Sequence, residues 1–336
     1  MGFFGRQLMD IKQLRALVTV AETDNVTRAS ALLNTVQPAI SRQLRLLEED
    51  VGVTLFERSR MGMELTDAGR TLVECARRVL YEVERARSEV SPSRGSVGGI
   101  VTVGMLPSLG NLLPSALLTA VAATHPGIKI HISTGHGGHL PRWLESGELD
   151  IALVYDPKRS PSLHVRKLLS EGLWVVGPPG TGIHPDRPVA LAELAGKPLV
   201  LPNSTHGLRG LVEHAAVLMG IQLNIVAETN ALLVQKSLVR GGHGWTVLPR
   251  ISVVDEIARG LLVAAPLVSP ALVRTIALAL PANRHATKPV RCVAAALVEC
   301  MRRAVDCGDW LAAEWLETEP PPVESLAASP TAADAG

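Results

Sequence analysis

Gln37, Ser41, Arg42 and Arg45 are spaced so that, on a helix, they lie opposite an apolar stripe of Ile40, Leu44 and Leu47. The chemistry open to them is the reading of base edges. Gln pairs bidentately with adenine, Arg with guanine, and Ser with either or with phosphate. No acidic residue occurs from Asn25 to Leu47, whereas Arg28, Arg42 and Arg45 do, and the acids cluster afterwards at Glu48, Glu49 and Asp50. Charge is therefore positive where a polyanion would lie, although the whole chain carries a formal net charge of only +1. Arg58 and Arg60 follow on a candidate hairpin and suit phosphate or minor-groove contact. A merely solvated face is the simpler account of Gln43 taken alone. It is the weaker account of a one-sided basic group free of acids.

These side chains need a scaffold, and residues 10–90 read as nearly all helix. Ile11, Leu14, Leu17, Val18 and Ala21 share one face of a first helix. Thr27 is the expected N-cap of a short second helix carrying Leu32 and Leu33. A third helix starts near Gln37-Pro38, where proline costs no intrahelical bond, and ends at Gly52. Val36 cannot cap it, so Thr35 is expected to cap one position earlier. Three short helices with a tight turn before the third form a helix-turn-helix, whose third helix enters the major groove. Leu55 to Thr66 reads as a small hairpin. A long helix from Asp67 then places Leu72, Ala76, Val79, Val83, Ala86 and Val90 at alternating spacings of four and three, a seam for pairing with another helix.

Beyond a hinge-like run ending at Gly98-Gly99 the pattern changes to alternating strands and helices, the signature of an α/β domain with a mainly parallel sheet. Ser108, Thr134 and His136 follow strands. The run Leu201 to Arg209 leaves a strand and enters a helix carrying Ser204, His206 and Arg209, and Glu228, Thr229 and Asn230 follow a later strand. Such junctions are where α/β domains bind ligands, and helix N-termini favour anions. Arg209 is equally placed to do no more than form a salt bridge on its helix, and His206 to do no more than cap it.

The bulk numbers set limits. The chain has 336 residues, 47% of them hydrophobic, enough for two or three domains. Aromatics are 3%, which argues against base stacking on exposed rings. The four cysteines show no C-x-x-C pair and no structural-zinc spacing, and they fit a reducing compartment. No signal-peptide pattern or transmembrane-length apolar run is present, so a cytoplasmic protein without a membrane partner is expected; Met9 stands as an alternative start. Ser108 with His136 or His206 would be the nucleophile and base of an enzyme. However, no Gly-x-Ser-x-Gly elbow, phosphate-binding glycine loop or metal motif supports that class, so neither catalysis nor a cofactor is expected. A solute receptor would need a signal peptide and would not need the first 66 residues.

Leu14-Arg15-Ala16-Leu17, Thr27-Arg28-Ala29, Gln37 to Gln43, Leu46-Leu47-Glu48, Leu55 to Arg58 and Leu65 to Gly69 together resemble the LysR-type transcriptional regulators. The resemblance is close over about sixty residues and looser over nearly all the rest. It implies an all-α winged helix-turn-helix (1–66), a dimerising linker helix (67–93) and a two-lobed α/β effector domain like the periplasmic binding proteins (100–312), to which composition adds a hinge (94–99) and a disordered tail (313–336). It maps DNA contacts onto Gln37, Pro38, Ser41, Arg42 and Arg58. It also implies a small effector near Ser108, Thr134, His136, Ser204, His206, Arg209 and Asn230, and the donors of Ser108, His206 and Arg209 favour an anionic one. Dimers or tetramers on a partly palindromic double-stranded operator are implied, with RNA polymerase as a partner where the output is activation. The run His206-Gly207-Leu208-Arg209 is similar to regulators of the nitrogen-assimilation-control type.

Overall fold

The computed structural model describes residues 9–59, 62–90, 97–157 and 160–316, and it divides into two compact units, Met1–Pro92 and Ser93–Gly336.

In the first unit, α1 (Ile11–Thr23) opens on a capping box. Asp10 accepts from the Gln13 amide at 2.8 Å while the Gln13 side chain accepts from the Asp10 amide at 2.8 Å. The second helix, α2 (Val26–Leu32), is capped by Asn25, whose carboxamide oxygen accepts from the amides of Thr27 and Arg28 at 2.8 and 3.0 Å. Thr27 is therefore inside the helix, a correction of its expected role. Asn25 wins because its oxygen, two and three residues upstream of those amides, meets both orphan donors.

Helix α3 (Gln37–Val51) buries Ile40, Leu44 and Leu47 and ends at Gly52 with φ +74°, where glycine avoids the strain of a left-handed residue. It begins with no side-chain cap, so Thr35 does not take that role either. Strands β1 (Phe56–Ser59) and β2 (Gly62–Leu65) pair antiparallel as the wing. Gly62 is required there. Its φ is +134°, and a Cβ would stand 2.4 Å from the Asp24 carbonyl, which accepts from Met63 at 3.1 Å and ties the wing to the end of α1. The long helix α4 (Asp67–Val90) adds Val73 and Ala76 to the core built by Leu14, Leu17, Ile40, Leu47 and Leu55.

In the second unit, the described residues form a nine-stranded sheet and a separate two-stranded one. One lobe contains β3 (Gly98–Met105), α5 (Leu113–Thr124), β4 (Gly127–Thr134), α6 (Leu140–Glu145) and β5 (Ile151–Tyr155), with β3 parallel to both β4 and β5. Strand β6 (Leu163–Gly177) is 15 residues long and continues into the other lobe. That lobe holds β7 (Val189–Ala190), β8 (Pro198–Leu201), α7 (Gly207–Leu218), β9 (Asn224–Glu228), α8 (Leu232–Arg240), β10 (Thr246–Pro249), α9 (Val254–Ala258) and β11 (Val263–Val268). The chain returns through β12 (Val273–Pro281), which pairs antiparallel with β5 and β6, and ends with α10 (Lys288–Asp306) and β13 (Ala313–Trp315).

The sheet is mixed rather than mainly parallel, because the two strands that cross between lobes, β6 and β12, run against their neighbours. The sequence shows only Leu173 to Val176 of β6 as a clear strand, since the preceding half alternates polar residues. Gly98 and Gly99, read as part of the hinge, are the first rungs of β3, opposite Gly127 and Ile128. Residues 313–315, read as tail, pair with Leu169 to Glu171 of β6. Residues 91–96 of the hinge and the tail from residue 317 lie outside the described residues. Large apolar clusters fill each lobe. Val103, Leu117, Leu153, Leu278 and Leu297 belong to the first, and Val175, Leu199, Val212, Val247 and Leu267 to the second.

Candidate functional site

The helix-turn-helix presents one polar face. Arg28, Gln37, Pro38, Ser41, Arg42 and Arg45 are all exposed, while the residues between them on α3 that face inward are buried. The apolar stripe docks α3 on α1 and so turns the opposite side outward. Thr27 Oγ1 donates to Gln37 Oε1 at 3.4 Å, a contact from α2 to the first residue of α3. Arg45 makes an exposed pair with Glu49 at 3.4 Å, one turn along. Such a pair is worth under about 1 kcal/mol and yields readily to a phosphate. Arg58 belongs to β1. Its side chain, and Arg60 altogether, lie outside the described residues.

In the second unit, Ser108, His136, His206 and Asn230 come together with Tyr155 and Arg274 around a recess of about 40 Å³ between the lobes. The recess adjoins a groove of about 1050 Å³ that also carries His139, Arg142, Asp156 and His214. Ser108 stands in the turn after β3 and Tyr155 at the end of β5. His206 and Asn230 come from the other lobe, at the starts of α7 and α8. Gly137 and Gly207 approach the Tyr155 ring so closely that a Cβ on either would sit at 3.0 or 2.9 Å from it. Glycine at these two positions lets backbone from each lobe close on the same ring.

His206 does two things here. Its Nδ1 accepts the Leu208 amide at 3.2 Å, capping α7, and the Tyr155 hydroxyl lies 3.3 Å from Nδ1 and 3.1 Å from Nε2. Burial, the nearby His136 ring and then Arg274 push its pKa down to about 4. The rings of His136 and His206 lie 5.3 Å apart, edge to face. Burial and then the charge of His139 lower the His136 pKa as well. Both rings are therefore neutral near pH 7. Burial raises the Tyr155 pKa, with Arg274 opposing the shift.

Three expected contacts stand elsewhere. Thr134 and Ser204 are exposed and line neither the recess nor the groove. Arg209 is buried and turned into the protein, where it donates to the Pro202 carbonyl at 3.0 Å and pairs with Glu213 at 2.8 Å and Glu228 at 3.1 Å. Its charge is already met by two carboxylates, so it ties α7 to β9 rather than facing a ligand. This is the salt-bridge role that its helical spacing left open.

Sequence reasoning missed Tyr155, Glu171, Arg274 and Trp310. Arg274 and Glu171 are directly opposed on β12 and β6, with Nε to Oε1 at 2.5 Å, and both are buried. The other Glu171 oxygen accepts the Trp310 indole N–H at 2.9 Å, and Arg274 Nη2 donates to Ser108 Oγ at 2.9 Å. The signal available was a lone Arg in the apolar run Val273 to Leu280, because a buried charge in a strand demands a partner.

Two family models match. A bacterial regulatory helix-turn-helix of the lysR family covers residues 11–70, and a LysR substrate binding domain covers residues 94–302. The HTH-type transcriptional regulator BbuR of Bordetella bronchiseptica is 30% identical over 302 residues, 90% of this chain and 93% of that protein. A probable nitrogen assimilation transcriptional activator of Synechococcus elongatus is 30% identical over 286 residues, 84% and 92% of the two chains. Among solved structures, full-length CbnR complexed with its target DNA has the same fold, with a TM-score of 0.65 over 88% of this chain and 100% of that one, at 24% identity. The chain belongs to the LysR family: it is a transcriptional regulator with a DNA-binding helix-turn-helix and an effector-binding domain, and not an enzyme.

Proposed function

We propose that the protein reads a partly palindromic operator as a dimer or tetramer, and that a small anionic effector held between the lobes of its second unit controls the output. Gln37, Ser41, Arg42 and Arg45 meet base edges and adjacent phosphates, Pro38 sets the start of the reading helix, and Arg28, Arg58 and Arg60 meet the backbone. RNA polymerase, in the cytoplasm, is the further partner where the output is activation.

The observation that carries the effector half is the convergence of Ser108 and His136 from one lobe with His206 and Asn230 from the other. A molecule touching all four binds the closed arrangement of the lobes better than any open one, and that difference is what shifts a population. The test is a thermal-shift screen of the full chain with small anions, amino acids, nitrogen metabolites and their neutral analogues. A ligand at about 100 times its dissociation constant adds roughly 2.7 kcal/mol to the folded state. A selective shift that Ser108→Ala removes supports the reading. A shift that survives in Ser108→Ala places the ligand elsewhere.

A further inference from the structure

We propose that Val36 is a specificity residue of the reading head: its exposed isopropyl group recognises the 5-methyl of a thymine in the major groove, at or beside the base pair that Gln37 reads. The proposal rests on the DNA-reading assignment of α3 above and adds an apolar contact to it.

Val36 is the N-cap residue of α3, with φ −94° and ψ 145°. It is a valine where a helix start ordinarily calls for a side-chain oxygen. The first turn of α3 explains why that oxygen is dispensable. A capping side chain serves the amides of the second and third helical residues. Here the second is Pro38, which has no N–H, and the third is Ala39, whose N–H already donates to the Val36 carbonyl at 3.0 Å. The Ile40 amide donates to the same carbonyl at 3.4 Å. Position 36 is thereby released from capping, and an apolar side chain costs the helix little there.

That side chain does not serve the core either. Val36 is 66% exposed, and it belongs neither to the buried core of the first unit nor to the partly buried residues packed against it. Yet its place is held on both sides. Two α3 amides converge on its carbonyl, and the preceding Thr35 amide donates to the Ser30 carbonyl at 2.9 Å. A β-branched side chain is stiff at χ1, so little rotamer freedom is lost when a surface closes on it. A stiff apolar group thus stands at the end of the helix that enters the groove, directly before the exposed Gln37.

The major groove offers such a group one favourable partner. Cytosine N4, adenine N6 and N7, guanine O6 and N7 and thymine O4 are polar, and covering them without a hydrogen bond costs desolvation. The thymine 5-methyl is the apolar feature of these base edges. Successive Cα atoms are about 3.8 Å apart and stacked bases about 3.4 Å, so Val36 reaches the pair that Gln37 reads or its neighbour.

The test crosses protein with DNA. The native full chain and Val36→Ser are each bound to the duplex that the native chain selects from a random-sequence pool. Both are also bound to copies in which one thymine at a time is replaced by deoxyuridine, which removes the methyl alone. At one thymine of the half-site, deoxyuridine is expected to weaken the native chain about fourfold, the factor that one methyl-sized apolar group supplies. The same replacement is expected to leave Val36→Ser unchanged. Val53→Ala trims a valine that is 49% exposed just past the other end of α3, and it is expected to keep the native sensitivity. Circular dichroism checks that both variants are folded. A half-site without thymine, or a native chain indifferent to deoxyuridine at every thymine, overturns the proposal. So does a penalty that Val36→Ser shares in full, because another residue then meets the methyl. Even weakening of every duplex by Val36→Ser, with the thymine–uracil difference intact, places Val36 on the DNA backbone and overturns it equally. Failure of the native chain to select any sequence overturns instead the reading of α3 on which the proposal rests.

Discussion

His206 illustrates how one side chain carries three constraints at once. It caps a helix, meets the Tyr155 hydroxyl and lines the recess, and the cap, in which a ring nitrogen accepts an amide proton, requires the neutral ring. Because its folded pKa, about 4, lies below the 6.5 of the free side chain, the unfolded chain binds a proton that the folded chain refuses. Stability contributed by this group is therefore present above pH 6.5 and is lost as pH falls toward 4. The loss is at most about 3 kcal/mol, reduced by the solvent that reaches the ring. His206→Asn keeps a capping oxygen and removes the titration. Relative to that variant, the urea midpoint of the native chain is expected to fall as pH drops from 6.5 toward 4, and parallel pH profiles would contradict the assignment. On the DNA side, Arg42→Ala is expected to relax base preference at one position and to cost roughly 1–3 kcal/mol of specific binding, read from competition among operator variants. An unchanged preference would move Arg42 from base reading to backbone contact. Residue types at strand-to-helix junctions were legible for Ser108, His136, His206 and Asn230, because position after a strand and donor chemistry are both written locally. Arg209 was not separable from them, since its partners Glu213 and Glu228 lie on different elements and only the fold brings Glu228 to it.

At the scale of elements, the three N-terminal helices were readable almost to the residue, since helical period, a proline start and a glycine stop are local signals. The caps of α2 and α3 were not, because two candidate residues lay within reach of each N-terminus and backbone geometry chose between them. The sheet of the second unit was harder. Strands β6 and β12 owe their antiparallel pairing to residues a hundred positions apart, and no window of sequence contains that information. Strand β13 escaped notice for the same reason, its three residues being ordered by pairing with β6 rather than by their own composition. Helix α4 divides along its length. Val73 and Ala76 are spent on the core of its own unit, whereas Val79 is 46% exposed and Val83 is half-buried. The seam seen in the sequence is thus available for pairing only from Val79 onward. Val83→Glu is expected to dissociate the proposed dimer while leaving the helix-turn-helix folded, measured by sedimentation alongside circular dichroism. An intact dimer would shift the main contact off this seam.

At the scale of the molecule, the chain combines a positively patterned reading head with a two-lobed domain whose polar contacts converge between the lobes. Neither unit is basic enough to bind nucleic acid by bulk charge, since residues 1–92 carry 13 Lys and Arg against 13 Asp and Glu, and the remainder 20 against 19. On the proposed reading its affinity for DNA comes from the exposed face of α3 together with the wing, and that makes the central claim directly measurable. Selection of bound duplexes from a random-sequence DNA pool, at moderate salt and with Arg42→Ala in parallel, tests it most directly. The account predicts enrichment of a partly palindromic site with half-sites about one helical turn apart or a multiple of it, loss of affinity as salt rises, and a changed motif for the variant. No enrichment over the starting pool, or the same motif from both proteins, would contradict the assignment of α3 as the reading element.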